Sequence, residues 1–253
     1  MDITLPSAFP VHFVNGHQAL ALEMTPALEL SQALTLLQLQ PSRPILVLVG
    51  GASGLQDSHF DVLSHLFQDS LCPWLQARGF GVVDGGTEAG IMQLMGEAYH
   101  QTQCSFPLVG VAAQGTIVLP QDPSDATDER AQLDPHHPFF LLVPGQDWGD
   151  EAPWLAKLAH CWAGSHPSVT LVVNGGGITF QDVAESVALG RPVVVVAGSG
   201  RTADSLAAAL EGDRSDAQAS ALVQSGLIHS IHLEQASQDM LALLDRLIAV
   251  YSG

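Results

Sequence analysis

A series of short runs rich in aliphatic and β-branched residues, separated by amphipathic stretches, most narrowly limits what this chain can fold into. The runs are Ile45–Val49, Gly81–Val83, Leu108–Val111, Phe139–Val143, Val169–Val173, Pro192–Val196 and Leu227–His232. A strand with one wet face alternates polar and apolar residues, whereas a run that stays apolar is covered on both faces. The segments between them, Ser58–Gln76, Ala89–Gln101, Asp150–Ala163, Thr179–Leu189, Ala203–Glu211, Asp216–Ser225 and Ser237–Tyr251, read as helices. This alternation predicts an α/β fold with a doubly wound, mainly parallel sheet and helices on both faces. Residues 1–43 precede the pattern and read as an N-terminal extension packing on the core, with 44–253 forming the α/β domain. Within the extension, Ala8–Val14 reads as a strand. Thr25–Gln40 reads as a helix, with Thr25 as N-cap and Pro26 in first helical position. The segment Leu119–His137 is polar and aperiodic and reads as a long loop or lid.

Charge removes whole classes of partner. The chain carries a net charge of −18 and only eight lysines and arginines. Duplex nucleic acid is held chiefly by cationic contacts to phosphates, so no nucleic-acid partner is expected. An anionic membrane surface is disfavoured equally, and the apolar runs fall far short of the ~20 residues of a spanning helix. Met1-Asp2-Ile3-Thr4 places no cation ahead of an apolar run, so it does not read as a signal peptide. Three scattered cysteines without zinc spacing suit a reducing compartment, and a cytoplasmic location is expected. An acidic chain that binds phosphate must use backbone N–H groups, helix N-termini and a few placed arginines.

In a parallel sheet the ligand lies beyond the carboxyl ends of the strands. Glycine-bearing loops stand at those ends: Gly50-Gly51-Ala52-Ser53-Gly54, Asp84-Gly85-Gly86-Thr87, Asn174-Gly175-Gly176-Gly177-Ile178-Thr179 and Gly198-Ser199-Gly200-Arg201. Glycine lets backbone approach an anion closely, though each such loop taken singly is also ordinary turn chemistry. Arg201 at a predicted helix start opposes the helix dipole, which suits an anion lying between. A solvated arginine or a salt bridge to Asp204 is the alternative. Neither a Walker A motif nor the dinucleotide fingerprint is present, and no cofactor is indicated. The His136-His137 pair lacks a third spaced ligand, so no metal site is indicated either. Gly-x-Ser-x-Gly is absent. Trp148, Trp154 and Trp162 read as core or an oligomer face rather than an adenine platform.

Six ordered blocks carry a resemblance. They are Leu48-Val49-Gly50-Gly51-Ala52; Val83–Met92 with Gly96-Glu97-Ala98; Val109–Ala112; Leu133–Val143, containing Asp134-Pro135-His136-His137-Pro138; Val172–Thr179; and Gly190–Asp204. The chain resembles the SLOG superfamily, in the subgroup found at the N-terminus of melastatin-type transient receptor potential channels and in standalone prokaryotic relatives. The resemblance covers roughly residues 44–212. It implies a Rossmann-like fold that recognises nucleotides or nucleotide-derived signals, since in some of those channels this region binds ADP-ribose-like ligands. The ligand-binding positions it implies are Gly50, Gly51, Gly85, Gly86, Thr87, Gly175, Gly176, Thr179, Gly198, Ser199, Gly200 and Arg201, and Ala52, Ser53, Asn174 and Gly177 in the same loops are read as ligand-binding with them. A homodimer is expected by analogy with sister families.

One departure bears on chemistry. Superfamily members that cleave an N-glycosidic bond carry Pro-Gly-Gly-x-Gly-Thr-x-x-Glu. Here the stretch runs Asn174-Gly175-Gly176-Gly177-Ile178-Thr179-Phe180-Gln181-Asp182. Asp182 and Glu185 share a helix face at i, i+3. They read either as a catalytic pair or as acids that stabilise a helix N-terminus without function. The expected function is binding or sensing of an ADP-ribose- or NAD-related ligand. The alternative is hydrolysis of an N-glycosidic or phosphoester bond, and a homo-oligomeric scaffold is a third reading.

Overall fold

The computed structural model describes residues 6–40, 42–51, 57–121 and 130–250. In chain order the elements are β1 (Phe9–His12), β2 (Gln18–Glu23), α1 (Leu30–Leu36), β3 (Ile45–Gly50), α2 (Asp57–Leu66), a π-helical turn (Phe67–Leu71) and α3 (Cys72–Ala77). There follow β4 (Gly81–Asp84), α4 (Gly90–Gln101), β5 (Leu108–Ala113), β6 (Ile117–Val118), β7 (Ala131–Gln132), β8 (Phe139–Val143) and α5 (Ala152–Ala163). The remainder are β9 (Ser168–Val173), α6 (Gly177–Ala188), β10 (Val193–Ala197), α7 (Arg201–Leu210), α8 (Ala217–Val223), β11 (Ile228–His232) and α9 (Ala236–Val250).

The main sheet has the order β1-β2-β8-β5-β4-β3-β9-β10-β11. All its pairings are parallel except β1 with β2. From β3 the chain steps outward through β4, β5 and β8. It then returns to lay β9 beside β3 and steps outward the other way through β10 and β11. The direction of winding therefore reverses between β3 and β9, the point where an open α/β sheet leaves a crevice beyond its carboxyl ends. This is the expected Rossmann-like, doubly wound architecture.

The unbroken apolar strands are explained by what each face meets. Ile45, Val47 and Val49 join Val172, Val193 and Val195 in one core, packed by α1, α5, α6 and α7. Leu46 and Leu48 join Leu171, Val173, Val194 and Val196 in a second core, packed by α2, α3, α4 and α9. Successive residues point to opposite faces, and here both faces are dry. Below the sheet, at the amino ends of its strands, the buried Arg191 guanidinium donates to Ser168 Oγ at 3.0 Å and to the Ala156 carbonyl at 2.8 Å. Burial pushes its pKa down to about 10. No helix among the described residues is long and apolar enough to cross a membrane.

The N-terminal segment departs from expectation. The strand read at Ala8–Val14 is β1, but it is half of a hairpin whose second strand, β2, pairs in parallel with β8 through Leu20 and Phe139. The helix read over Thr25–Gln40 is shorter. Thr25–Leu28 close a turn, Leu28 N–H donating to the Thr25 carbonyl at 3.0 Å. The helix begins where Gln32 Oε1 accepts the Glu29 N–H at 3.1 Å, and the chain leaves it at Gln38, with φ of 57°. The helix read over Ser58–Gln76 carries a π turn before Pro73. Proline has no N–H to donate to the preceding turn, and the wider register absorbs that loss. In the expected loop Leu119–His137, β7 pairs with β6 and Leu133 bridges Thr87, while 122–129 lie outside the described residues.

Candidate functional site

A cavity of about 330 Å³ opens at the switch point between β3 and β9. Its walls come from loops far apart in the chain. Gly50 and Gly51 follow β3, Gly85 and Thr87 follow β4, Thr116 follows β5, and Trp148 and Glu151 follow β8. Gly176, Gly177, Ile178, Thr179 and Asp182 belong to the start of α6, and Arg201 to the start of α7. Leu48, Val49, Met92, Val111, Ala112 and Leu155 supply apolar wall.

Local chemistry explains why these residues stand there. A side chain at Gly50 would drive its Cβ into the Val173 carbonyl, because β3 ends in close register with β9. Gly51 N–H then donates to the same carbonyl at 3.3 Å. At the start of α6, Gly175 has φ of 110°, and Thr179 Oγ1 accepts the Gly176 N–H at 3.1 Å. The first N–H groups of a helix have no partner within it, and here that first turn lines the cavity. Arg201 lies against this turn, since a Cβ on Gly176 would be 3.1 Å from its Nη2. Arg201 itself has φ of 53°, a region that costs a residue with a side chain about 1–2 kcal/mol. Thr202 Oγ1 donates to the Gly176 carbonyl at 2.8 Å and fixes α7 against α6.

The expected site residues thus divide. Gly50, Gly51, Gly85, Thr87, Gly176, Gly177, Thr179 and Arg201 line one cavity, and Asp182 joins them. The others stand behind the wall. Gly86 meets Gly110, where a Cβ would lie 2.5 Å from the Gly110 Cα. Asn174 and Ser199 bind each other: Ser199 Oγ accepts the Asn174 N–H at 2.7 Å, and Asn174 Nδ2 donates to the Ser199 carbonyl at 2.6 Å. Asn174 Oδ1 holds the Gly175 N–H at 2.8 Å. Gly200 faces Asn174 Nδ2, Gly198 faces Leu233, and Asp204 accepts the Gly198 N–H at 2.6 Å. Ala52 and Ser53 lie outside the described residues.

The acid beside Asp182 at the cavity is Glu151 from the start of α5; Glu185, one turn along α6, is not among the lining residues. Burial first, then the neighbouring Glu151 and Glu185 carboxylates, push the Asp182 carboxyl up to about 8. Burial also raises Glu151, against its hydrogen bond from the Gly149 N–H at 3.0 Å. At neutral pH Asp182 is therefore largely a protonated acid and does not repel an anionic ligand. An unfolded aspartate titrates near ~3.9. Between that value and about 8 the folded state holds the extra proton, so this group lowers stability as pH climbs through the window. Asp182→Asn is expected to stabilise the protein at pH 8 by about 0.5–2 kcal/mol and to change nothing near pH 4. Urea denaturation at the two pH values checks this, and equal stability of both proteins at pH 8 refutes it.

Sequence reasoning missed Glu151 and Thr116, and it read Trp148 as core or an oligomer face, whereas Trp148 lines the cavity. Trp162 is fully buried core, with Nε1 donating to the Gln40 carbonyl at 2.9 Å. Trp148, by contrast, is 43% exposed at the cavity mouth. Its loop is tied to α6 by Gln181 Nε2, which donates to the Gly149 carbonyl at 3.1 Å.

The family model described as SLOG in TRPM, prokaryote, matches residues 43–242. The chain is 29% identical over 180 residues to transient receptor potential cation channel subfamily M member 2 of Rattus norvegicus, covering 57% of this chain and 12% of the channel. It is 30% identical over 180 residues to the Mus musculus protein of the same name, with the same coverage. To a transient receptor potential channel of Caenorhabditis elegans it is 26% identical over 202 residues, covering 67% of this chain and 10% of the other. The chain thus spans about a tenth of the length of these relatives.

Proposed function

The chain belongs to the family described as SLOG in TRPM, prokaryote, and on that premise we propose that it binds a nucleotide-derived anion of the ADP-ribose or NAD type in the crevice between β3 and β9. One observation carries this reading: the first turn of α6 and the Arg201 guanidinium converge on a cavity that also has an apolar wall of Leu48, Val49, Met92, Val111, Ala112 and Leu155. The helix N-terminus and the arginine suit phosphate. Leu48, Met92, Val111 and Leu155 suit the faces of a base or sugar, with Trp148 placed to stack at the mouth. Thr87 Oγ1 supports the reading too, as a buried hydroxyl on the cavity wall with no hydrogen-bond partner among the described residues. Calorimetry with ADP-ribose, NAD and AMP tests it. Saturable one-to-one binding of at least one is expected, competing with the others. No heat and no thermal shift with any of the three, on folded protein, refutes it.

A second reading is catalytic and rests on the carboxyl pair. A protonated Asp182 beside Glu151 could give its proton to a leaving group while the other carboxylate activates water. Product formation from the same nucleotides tests this reading. Turnover lost in Asp182→Asn, with binding retained, supports it, and binding without turnover in the unmodified protein leaves a ligand-binding module.

A further inference from the structure

We propose that His17, His100 and His136 form a zinc-binding site at the amino ends of the strands, away from the ligand cavity. The fold gathers them from three distant segments. His17 immediately precedes β2, His100 lies in the last turn of α4, and His136 lies just before β8. One ligand nitrogen from each falls within 4.8 Å of the other two. The rings stand 4.9 Å (His17–His100), 5.3 Å (His17–His136) and 4.8 Å (His100–His136) apart. A tetrahedral ion with bonds of about 2.0–2.1 Å sets its ligand nitrogens about 3.3–3.4 Å apart. The rings must therefore close in modestly, and exposed His100 at a helix end has room to do so.

The surroundings are those of a ligand set. His17 Nδ1 lies 3.1 Å from the Pro135 carbonyl. A carbonyl only accepts, and this contact is shorter than the 3.5 Å from Asn15 Nδ2 to the same nitrogen, so it favours a proton on Nδ1 and leaves the Nε2 lone pair for a metal, the usual arrangement of a ligating imidazole with its outer partner. His136 Nδ1 is buried without a hydrogen-bond partner among the described residues. Asp134 Oδ1 is 3.6 Å away and already accepts from the His136 N–H and His137 Nδ1. The Asp134 and Glu97 carboxylates lie near enough to act on His136 and would offset the charge of a dication. The carboxyl end of α4 adds in the same sense. Three neutral nitrogens select a borderline metal over calcium or magnesium, which require oxygen. With three protein ligands the fourth position is left for water or an external ligand.

Titrating the metal-free full chain with zinc chloride, followed by calorimetry, tests the proposal. One equivalent is expected to bind at micromolar affinity or tighter and to raise the melting temperature. Cobalt in its place should show the absorption bands of a four-coordinate nitrogen site. His100→Gln, at an exposed position, and His17→Gln should each weaken zinc binding at least about tenfold. His160→Gln on α5 should change nothing. No one-equivalent binding, or binding that survives His100→Gln and His136→Gln together, overturns the proposal and leaves three packed imidazoles.

Discussion

Replacing His137 with glutamine is expected to cost about 3–5 kcal/mol of folding stability at pH 7, the range for one partner lost from a buried ion pair. The side chain is fully buried. Its Nε2 lies 2.9 Å from Asp84 Oδ1, and its Nδ1 lies 2.9 Å from Asp134 Oδ1. With a carboxylate at each nitrogen, both nitrogens donate and the ring is an imidazolium. Desolvation opposes that charge, yet Asp84 and Asp134 together outweigh it and raise the pKa to about 10. The triad is also a structural joint. Asp84 ends β4 and holds the Gly86 N–H at 2.8 Å. Asp134 occupies the space that a Cβ on Gly96 would fill. Removing the ring leaves two buried carboxylates without their cation, and Asp134 Oδ2 already lacks a hydrogen-bond partner among the described residues. Because the folded pKa lies above the unfolded value of ~6.5, the stabilisation is complete below about 6.5. It is lost as pH rises through about 10. Urea denaturation of both proteins at pH 7 and pH 10 measures it. The gap between them should narrow at pH 10, and a difference under about 1 kcal/mol at pH 7 sinks the assignment.

That triad also marks how far a sequence can be read. The central strands were legible because β3, β9 and β10 are buried on both faces and carry no competing signal. β2 was not legible. Its sequence, Gln18-Ala19-Leu20-Ala21-Leu22-Glu23, suits a helix as well as a strand, and its partner β8 lies more than a hundred residues away. Tertiary pairing overrode local preference. The glycine loops showed which turns approach something closely, but not what they approach. Gly50 approaches Val173, Gly86 approaches Gly110, and Gly200 approaches Asn174, so part of the signal is packing. The acids divide likewise. The i, i+3 spacing joins Asp182 to Glu185, whereas the fold brings Glu151 from another helix to the cavity. His136 and His137, adjacent in sequence, project apart to separate partners, one to His17 and His100 and the other to two aspartates.

Arg201→Gln is expected to weaken binding of a phosphorylated ligand by about 10–150-fold, the equivalent of the 1.5–3 kcal/mol typical of a charged hydrogen bond. Arg201→Lys should fall between the two, because it keeps the charge but loses the planar fork. The backbone supplies a sharper discriminator. Arg201 sits at φ of 53°, where only glycine is at ease. Arg201→Gly removes the guanidinium and the strain together. It should therefore weaken the same binding as much as Arg201→Gln does, while leaving the fold as stable as before, or more so by up to about 1 kcal/mol. A residue kept in a strained conformation for structural reasons gives the reverse, lower stability with affinity unchanged. Calorimetric affinity and urea midpoints on the three variants separate these outcomes. The glycine substitution carries the test, because strain at a functional residue persists only where the rest of the fold holds it there. Thr202, bonded to the Gly176 carbonyl, is the residue placed to hold it, and Gly176 is the turn that the guanidinium touches.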